Sequence, residues 1–328
     1  TVRDRVVQAA AKVVLEPIFE ADFRDSSYGF RPKRSAHQAV EQVRQGVNRG
    51  GGWVVDADIA AFFDRIDQAK LVALLEQRVS DRRLLKLLRQ WLAAGVLVDG
   101  EVLPTDQGVP QGSVLSPLLA NVVLHELDRL WEDHCRQLGQ LVRYADDFVV
   151  ICRTEADARE GLRRIGLILA RLGLTLHPDK TRVVDVRDGQ QGFDFLGFHC
   201  RTVESWRWRG KRYLHRWPSR RAMQRVRDRI KAITAPRHRL PEPVQPIVTE
   251  LNAVLRGWGA YFRVGNASRQ FQQLDSYVRK RLGLFLNKKA GRRGTRRIIP
   301  TQALCRGLGV YTLSGTVAWA SATPTAAR

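Results

Sequence analysis

The chain has 328 residues, of which 44% are hydrophobic, and it contains 55 Lys and Arg against 33 Asp and Glu. This size allows a large core and favours more than one domain, because single cores stop growing at roughly 250 to 300 residues. No run of about 20 uncharged apolar residues occurs and the first residues lack the apolar stretch of a signal peptide, so we expect a cytosolic protein without a membrane partner.

The cysteines indicate neither disulfides nor zinc. Cys135, Cys152, Cys200 and Cys305 are far apart and form no Cys-x-x-Cys pair or Cys/His cluster. Structural zinc sites usually show such clusters at short spacing. The sequence therefore predicts reduced thiols.

The net charge of +22 lies in the C-terminal part of the chain. Residues 1–200 hold 27 basic and 28 acidic residues, a net −1, whereas residues 201–328 hold 28 basic and 5 acidic residues, a net +23. A single charge run is usually a solvated face, but a region this one-sided repels itself unless a polyanion binds it. The distribution predicts nucleic-acid binding by the second part of the chain.

The first 200 residues alternate between predicted helices and strands. A helical period covers the first segment, which Pro17 bends or interrupts, and Ser35 is a candidate cap for the next helix. Residues 53–58 alternate as a strand, and Asp99-Gly100 between apolar runs predicts a hairpin. Further helices are predicted at residues 68–78, 81–93, 113–131 and 155–172. This order predicts an α/β or α+β core built on a mainly antiparallel sheet.

The pattern changes near residue 200. The segment RTVESWRWRGKRYLHRW predicts a hairpin that turns at Gly210. Its Trp206, Trp208 and Trp217 are candidates for stacking on bases, although tryptophans at helical spacing are more often core residues. Three amphipathic helices with basic outer faces follow, the first capped at Ser219. Trp258 falls at helical spacing and is assigned to the core. The second part is therefore predicted to be a basic helical domain.

Two adjacent aspartates, Asp146 and Asp147, precede an apolar run in RYADDFVVIC. Neighbouring strand residues point to opposite faces, so both carboxylates escape burial only at a tight turn between residues 141–144 and 148–151. The sequence therefore predicts a hairpin tip. Alone, such a pair is more typical of an ordinary solvated turn.

Asp58 ends another predicted strand and adds a third carboxylate. Three acidic groups at one sheet edge repel one another unless a cation joins them, and an all-oxygen ligand set favours Mg²⁺ or Mn²⁺. Two such ions about 4 Å apart activate a hydroxyl and stabilise the leaving oxygen in phosphoryl transfer. Metal chemistry on phosphate beside a basic domain suggests a nucleic-acid polymerase or nuclease.

Six ordered blocks resemble those of a reverse transcriptase. They are SYGFRP at 27–32, DIAAFFDRI at 58–66, QGVPQGSVLSPLLAN at 107–121, YADD at 144–147, LTLHPDKT at 174–181 and FDFLGF at 193–198. Residues 251–282, LNAVLRGWGAYFRVGNASRQFQQLDSYVRKRL, are similar to the maturase region of group II intron-encoded proteins. The resemblance is to a group II intron-encoded reverse transcriptase and maturase of the bacterial, endonuclease-lacking type.

The resemblance implies an α+β right-hand polymerase followed by an α-helical thumb and maturase domain. Fingers and palm, without the usual N-terminal extension, would occupy residues 1–200. The thumb and maturase domain would occupy residues 201–290, and a basic nucleic-acid-binding segment residues 291–328. No endonuclease-like Cys/His arrangement follows residue 290, which fits the endonuclease-lacking type.

The resemblance also implies a two-metal site. Asp58, Asp146 and Asp147 would hold two Mg²⁺ ions, with Mn²⁺ as a substitute, and the Ile59 carbonyl would be an added ligand. Phe63 would be a steric gate that rejects a ribose 2′-hydroxyl. Its alternative role is core packing.

Further residues are implied to contact the nucleotide. Gln111 would lie against the incoming nucleotide, and Lys180 would reach the pyrophosphate as a candidate general acid. Arg31 is assigned to triphosphate or template contacts, with Lys33 and Arg34 as weaker candidates from the same loop.

The implied partners are nucleic acids and nucleotides. Leu196 and Gly197 resemble a primer grip, which implies an RNA template with a DNA primer or DNA target, together with dNTPs. The maturase-like segment implies group II intron RNA, and hence a ribonucleoprotein in the bacterial cytoplasm.

Three functions stay open. The first is an RNA-directed DNA polymerase that also assists intron splicing. The second is an RNA-binding maturase that needs no polymerase activity, which the three intact aspartates disfavour. The third is another polymerase, either an RNA-dependent RNA polymerase, which Phe63 disfavours, or a host-adapted reverse transcriptase in defence or repair.

Overall fold

A computed structural model describes residues 2–94, 96–98, 101–103, 107–109, 112–291 and 300–318. The chain divides into two compact units. The first comprises Thr1–Leu196 with Thr202–Leu214, and the second comprises Gly197–Arg201 with His215–Arg328. No helix in the described ranges is both long and apolar enough to cross a membrane.

Helices and strands alternate along the first 218 residues. The helices are α1 (Val2–Glu20), α2 (Ala36–Asn48), α3 (Phe62–Arg65), α4 (Gln68–Glu76), α5 (Arg82–Ala93), α6 (Ser116–His134) and α7 (Glu155–Arg171). The strands are β1 (Trp53–Asp58), β2 (Val96–Val98), β3 (Glu101–Leu103), β4 (Gln140–Tyr144), β5 (Asp147–Cys152), β6 (Arg182–Asp185), β7 (Phe193–Phe195), β8 (Phe198–Glu204) and β9 (Arg212–Pro218).

The central sheet of the first unit has the order β4-β5-β1-β6, and all of its pairings are antiparallel. β5 is buried from its second residue onward, and helices α6 and α7 belong to the same apolar core. An apolar strand buried on both faces reads as a continuous run rather than an alternation, which explains the sequence FVVIC. The predicted antiparallel α+β core is confirmed.

Local sequence signals set several of the boundaries. Ser35 caps α2 in a capping box with Gln38, and Ser219 caps the first helix of the second unit, as predicted. α1 runs through Pro17 and ends three residues later, so interruption of the helix, one of the two predicted effects of Pro17, does not occur. β2 and β3 pair as the predicted hairpin, while Asp99 and Gly100 lie outside the described residues.

The second unit is mainly helical. Its helices are α8 (Arg220–Thr234), α9 (Val244–Phe262), α10 (Ser268–Lys289) and α11 (Gln302–Gly307). α8 buries Met223, Val226 and Ile230 on one face, as its periodicity predicts. Trp258 packs against Phe262 and Phe271, with ring centroids 4.7 and 5.7 Å away, which confirms its place in the core. The predicted helical character of the C-terminal part is thus confirmed.

Candidate active site

The predicted aspartates meet at one end of the central sheet. β1 and β5 pair so that Asp58 lies directly opposite Asp147, and β4 joins β5 through the two-residue loop Ala145-Asp146. The hairpin tip predicted from RYADDFVVIC is confirmed. However, Asp146 in the loop and Asp147 at the start of β5 are both half-buried, so the expectation that the two carboxylates escape burial is wrong.

Burial and mutual repulsion disfavour the ionised carboxylates here. Burial raises the pKa of Asp147 to about 7, and neighbouring carboxylates add to the shift, although the Leu196 N–H, 3.5 Å from Oδ2, opposes it. Burial also raises the pKa of Asp146, and Asp58 adds to that shift. These side chains form one interacting group, the acidic cluster, which consists of Asp56, Asp58, Asp146 and Asp147.

Asp56 is a member that sequence reasoning missed. Burial raises its pKa to about 6, although Arg182, whose Nε donates to Oδ2 at 3.1 Å, opposes the shift. The missed signal is periodic, because Asp56 and Asp58 are two residues apart on one strand and therefore share a face. The ion pair with Arg182 also joins β1 to its neighbour β6.

Lys180 lies beside the cluster, where the sequence predicts a positive group. Its Nζ donates to Asp58 Oδ2 at 2.7 Å, and its side chain is 60% exposed. The segment around it is held by backbone bonds, because the His177 N–H donates to the Asp58 carbonyl at 2.8 Å and the Lys180 N–H to the His177 carbonyl at 3.3 Å. Lys180 is therefore exposed to incoming ligands while being anchored to β1.

The cluster has the ligand chemistry of a divalent-cation site. Among the described residues, no three His, Cys, Asp or Glu side chains are arranged as a finished metal cage. The donors are nevertheless all oxygen, and burial together with neighbouring carboxylates raises the pKa values of Asp146 and Asp147, so their charged forms lack full stabilisation by the protein. A hard dication relieves this kind of repulsion, so the residues present fit Mg²⁺ or Mn²⁺.

A buried arginine holds the loop that carries Asp146. The Arg143 side chain is 0% exposed, and Nε donates to Asp128 Oδ1 at 2.8 Å while Nη2 donates to Asp128 Oδ2 and to Ser27 Oγ. Its Nη1 donates to Asn121 Oδ1 at 3.1 Å and to the Ala145 carbonyl at 2.9 Å. All five N–H donors are thus used. Sequence reasoning missed Arg143 and Asp128, because an arginine among apolar neighbours does not reveal a partner 15 residues away.

The SYGFRP loop packs against the same turn. Ala145 adopts a left-handed φ of 57°, and a Cβ on Gly29 would lie only 2.4 Å from the Ala145 nitrogen. Asn121 Nδ2 donates to the Gly29 carbonyl at 2.8 Å. Only a glycine at position 29 lets the backbone of this loop lie so close to the backbone at Ala145, which explains why the SYGFRP block has a glycine there.

Ile59 and Phe63 lie just beyond β1. Ile59 forms an antiparallel bridge with Leu176. The Ala60 N–H donates to the Thr175 carbonyl and the His177 N–H donates to the Asp58 carbonyl, so the two hydrogen bonds of this bridge do not use the Ile59 carbonyl. Phe63 is half-buried on the core and meets Phe62 edge-on at 5.2 Å between centroids. Core packing and a gating role are both compatible with this position.

Arg31 is placed in a structural role that the sequence did not indicate. Its side chain is 4% exposed and forms a bidentate pair with Glu20 of α1. Its remaining N–H donors bond the carbonyls of Arg24, Ser27 and Phe23. Every donor therefore has a protein acceptor in this structure, and the contact of Arg31 with a triphosphate or template stays a prediction.

Among the remaining predicted positions, Leu196 contacts the acidic cluster through its N–H and Asp147 Oδ2. Lys33 is exposed with a φ of 60°, and Arg34 pairs with Asp25 at 2.5 Å. Gln111 lies outside the described residues. Leu196 and Gly197 form the two-residue turn between β7 and β8, with φ values of 50° and 79°. A positive φ at a leucine is uncommon, so this turn carries local strain.

Comparison with protein families gives two matches. A family described as reverse transcriptase (RNA-dependent DNA polymerase) matches residues 1–200. A family described as group II intron, maturase-specific domain, matches residues 223–301. The first match covers the acidic cluster, and the second covers most of the helical unit.

Two curated proteins are similar in sequence to parts of the chain. The chain is 35% identical over 232 residues to protein YkfC of Escherichia coli (strain K12), covering 60% of each chain. It is 41% identical over 129 residues to the group II intron-encoded protein LtrA of Lactococcus lactis subsp. cremoris, covering 39% of this chain and 21% of that one. The chain thus spans less than two thirds of these relatives.

A solved structure shares the fold. The structure of apo telomerase from Candida tropicalis matches with a TM-score of 0.50 and 14% identity, over 92% of this chain and 61% of the other. At this identity the match shows the fold alone.

Proposed function

The chain belongs to the reverse transcriptase family, and from this we propose that it is an RNA-directed DNA polymerase that works by two-metal-ion nucleotidyl transfer. The observation that carries the proposal is the acidic cluster at the β1–β5 edge. There, strand pairing brings Asp58 opposite Asp147, with Asp146 in the adjoining loop. Carboxylates with raised pKa values beside a lysine suit chemistry on phosphate better than they suit stability.

Two Mg²⁺ ions, for which Mn²⁺ would substitute, are the proposed cofactors. Asp58, Asp146 and Asp147 would hold them, with the Ile59 carbonyl as an added ligand. When bound, such ions activate the primer hydroxyl and stabilise charge on the leaving oxygen. The protein positions the ligands through the β1–β5 register and through the Arg143 bond to the Ala145 carbonyl.

Lys180 is proposed as the general acid for the pyrophosphate. Its exposure leaves Nζ accessible, and its bond to Asp58 keeps it at the reacting centre. On nucleotide binding, an ammonium at this position would exchange a carboxylate oxygen for a phosphate oxygen and donate its proton to the leaving group.

Other contacts follow the family pattern. Phe63 is proposed as the gate against a 2′-hydroxyl, Gln111 as a contact of the incoming nucleotide, and the Leu196-Gly197 turn as the primer grip. With the donors of Arg31 occupied, exposed Lys33 of the same loop is the better candidate for triphosphate or template.

The family pattern also suggests the domain roles. Residues 1–200 would form fingers and palm, residues 201–290 the thumb and maturase domain, and residues 291–328 a basic nucleic-acid-binding segment. The match of the maturase-specific domain to residues 223–301 supports the second assignment.

The proposed RNA partner is a group II intron. The support is the maturase-specific domain, the similarity to LtrA, and the net +23 of residues 201–328. A bound intron would place the protein in a ribonucleoprotein of the bacterial cytoplasm, with an RNA template, a DNA primer or target and dNTPs as further partners.

Primer extension tests the polymerase proposal. We expect the parent to extend a DNA primer on an RNA template with Mg²⁺ and dNTPs, and Asp146→Ala to lose that activity. Asp188→Asn, a change of an exposed carboxylate outside the cluster, is the matched control and should retain it. A parent that makes no cDNA, or an Asp146→Ala variant that makes as much, contradicts the proposal.

A second candidate is a splicing maturase that needs no polymerase activity, which the match of the maturase-specific domain favours. A splicing assay with Asp146→Ala separates the two. Retained splicing by a variant that makes no cDNA would show that the functions are independent.

A further inference from the structure

The tip of the β8–β9 hairpin exposes side chains that the proposed polymerase site does not use. This tryptophan tip comprises residues 205–211, SWRWRGK, which contain three basic residues and no acidic one. Trp206 is 96% exposed and Trp208 is 52% exposed. The indole of Trp206 is almost wholly exposed and adds nothing to the hydrophobic core, so the stability of the fold does not explain a tryptophan at this position.

The tip has a defined shape of its own. Ser205 Oγ accepts from the backbone N–H groups of Arg207 and Trp208, both at 3.2 Å. Glu204 Oε1 accepts from the Gly210 N–H at 3.1 Å, and the Lys211 N–H donates to the Trp208 carbonyl at 3.1 Å. The tryptophans are therefore presented by an ordered turn, which lowers the entropy lost when they bind a ligand.

Cations flank one of the two rings. The Arg207 guanidinium carbon lies 5.5 Å from the Trp208 ring centroid, and Lys211 Nζ lies 6.0 Å from it. Arg209 is exposed between them in sequence. The cations therefore lie against Trp208, while Trp206 next to Arg207 in sequence is 96% exposed. An open aromatic ring on a turn that also carries several cations matches a base joined to its phosphates.

We propose that the tryptophan tip is a binding site for unpaired nucleotides of single-stranded RNA. Trp206 stacks on a base, and Arg207, Arg209 and Lys211 bind the adjoining phosphates. Paired bases within a duplex hide their faces, so the site selects single strands. Stacking does not distinguish ribose from deoxyribose, and the choice of RNA rests on the proposed function.

Binding of a short single-stranded RNA with 2-aminopurine in place of one adenine tests the proposal. Trp206→Ala should weaken binding about 5- to 150-fold and abolish the quenching of 2-aminopurine. It should leave the salt dependence unchanged, because an indole displaces no counterion. Arg209→Gln should instead lower the magnitude of the slope of log K against log salt by about 0.7. Trp206→Tyr should retain most of the affinity.

Matched variants and nucleic acids distinguish stacking on Trp206 from general attraction to the basic surface. Leu167→Ala removes a 52% exposed side chain from α7 and should bind RNA like the parent. The same RNA annealed to its complement should bind Trp206→Ala and the parent equally, and the matching DNA strand shows whether the sugar is read.

Equal single-strand affinity of Trp206→Ala and the parent overturns the proposal, and the exposed rings would then be assigned to a protein partner. Primer extension on the same samples tests the polymerase proposal independently. If 2-aminopurine is quenched but no cDNA is made, the polymerase proposal fails and the proposal for the tryptophan tip stands.

Discussion

At the scale of single residues, Asp147 carries the largest electrostatic conflict in the acidic cluster. The carboxyl of an unfolded chain titrates near 3.8, whereas burial raises the folded pKa to about 7. Between these values the folded protein holds a proton that the unfolded chain has released. The free energy of unfolding therefore falls as pH rises through this window and stays level above it.

Asp147→Asn should remove the contribution of Asp147 to this dependence, while Asp56 and Asp146, whose pKa values are also raised, keep theirs. In EDTA, we expect the urea midpoint of the parent to fall between pH 5 and pH 8, and that of the variant to change less and to be higher at pH 8. Asp188→Asn, at an exposed carboxylate, should follow the parent. Adding Mg²⁺ at pH 8 should stabilise the parent more than Asp147→Asn. A parallel pH dependence in parent and Asp147→Asn would contradict the burial argument.

The buried pair of Arg143 and Asp128 gives a second prediction. Arg143→Met leaves a buried carboxylate without a partner and should cost about 3 to 5 kcal/mol of unfolding free energy. Asp128→Leu combined with Arg143→Met removes both charges and should recover much of that stability. Polymerase activity should stay low in the double variant, because the Ala145 carbonyl has lost its donor. Recovery of both properties would show that the pair serves stability alone.

The same residues show how far sequence reasoning reaches. Asp58, Asp146 and the hairpin between β4 and β5 follow from local patterns, since strand periodicity and turn length are local properties. Arg31 and Arg143 bond residues that come close to them only in the tertiary structure. In the sequence, a buried arginine with five hydrogen bonds to the protein cannot be distinguished from an arginine that binds phosphate. The residue type therefore shows that the side chain is positively charged, but not which groups it contacts.

At the scale of elements, the approach of the SYGFRP loop to the β4–β5 turn is a close backbone contact. Gly29→Ala would place a Cβ 2.4 Å from the Ala145 nitrogen, so the turn must shift. We expect reduced primer extension and a lower melting temperature. Gly166→Ala on α7, whose Cβ would meet nothing within 4 Å, should instead stabilise by about 0.5 to 1 kcal/mol and keep activity. Equal effects of the two substitutions would exclude the contact as the cause.

At the scale of the whole molecule, the charge separation between the two parts of the sequence predicts where RNA binds. Residues 1–200 are nearly neutral, and the acidic cluster among them attracts cations. The surplus of positive charge in residues 201–328 attracts phosphates instead. Exposed Arg269 and Lys280 of α10 line a shallow groove with Arg227 and Tyr277. This groove therefore offers both positive charge and an aromatic ring to a nucleic acid.

Arg269→Gln with Lys280→Gln should lower the magnitude of the slope of log K against log salt for structured RNA by about 1.4 to 1.8, since each phosphate contact contributes about 0.7 to 0.9. Arg159→Gln, which removes a 73% exposed arginine paired with Glu155 on α7, should leave the slope unchanged. The measurement is RNA binding by fluorescence anisotropy across a salt series. An equal loss from Arg159→Gln would place the electrostatic contact on the nearly neutral part of the chain. An unchanged slope in the double variant would exclude the α10 groove, because a charge that contacts phosphate cannot be removed without releasing fewer counterions.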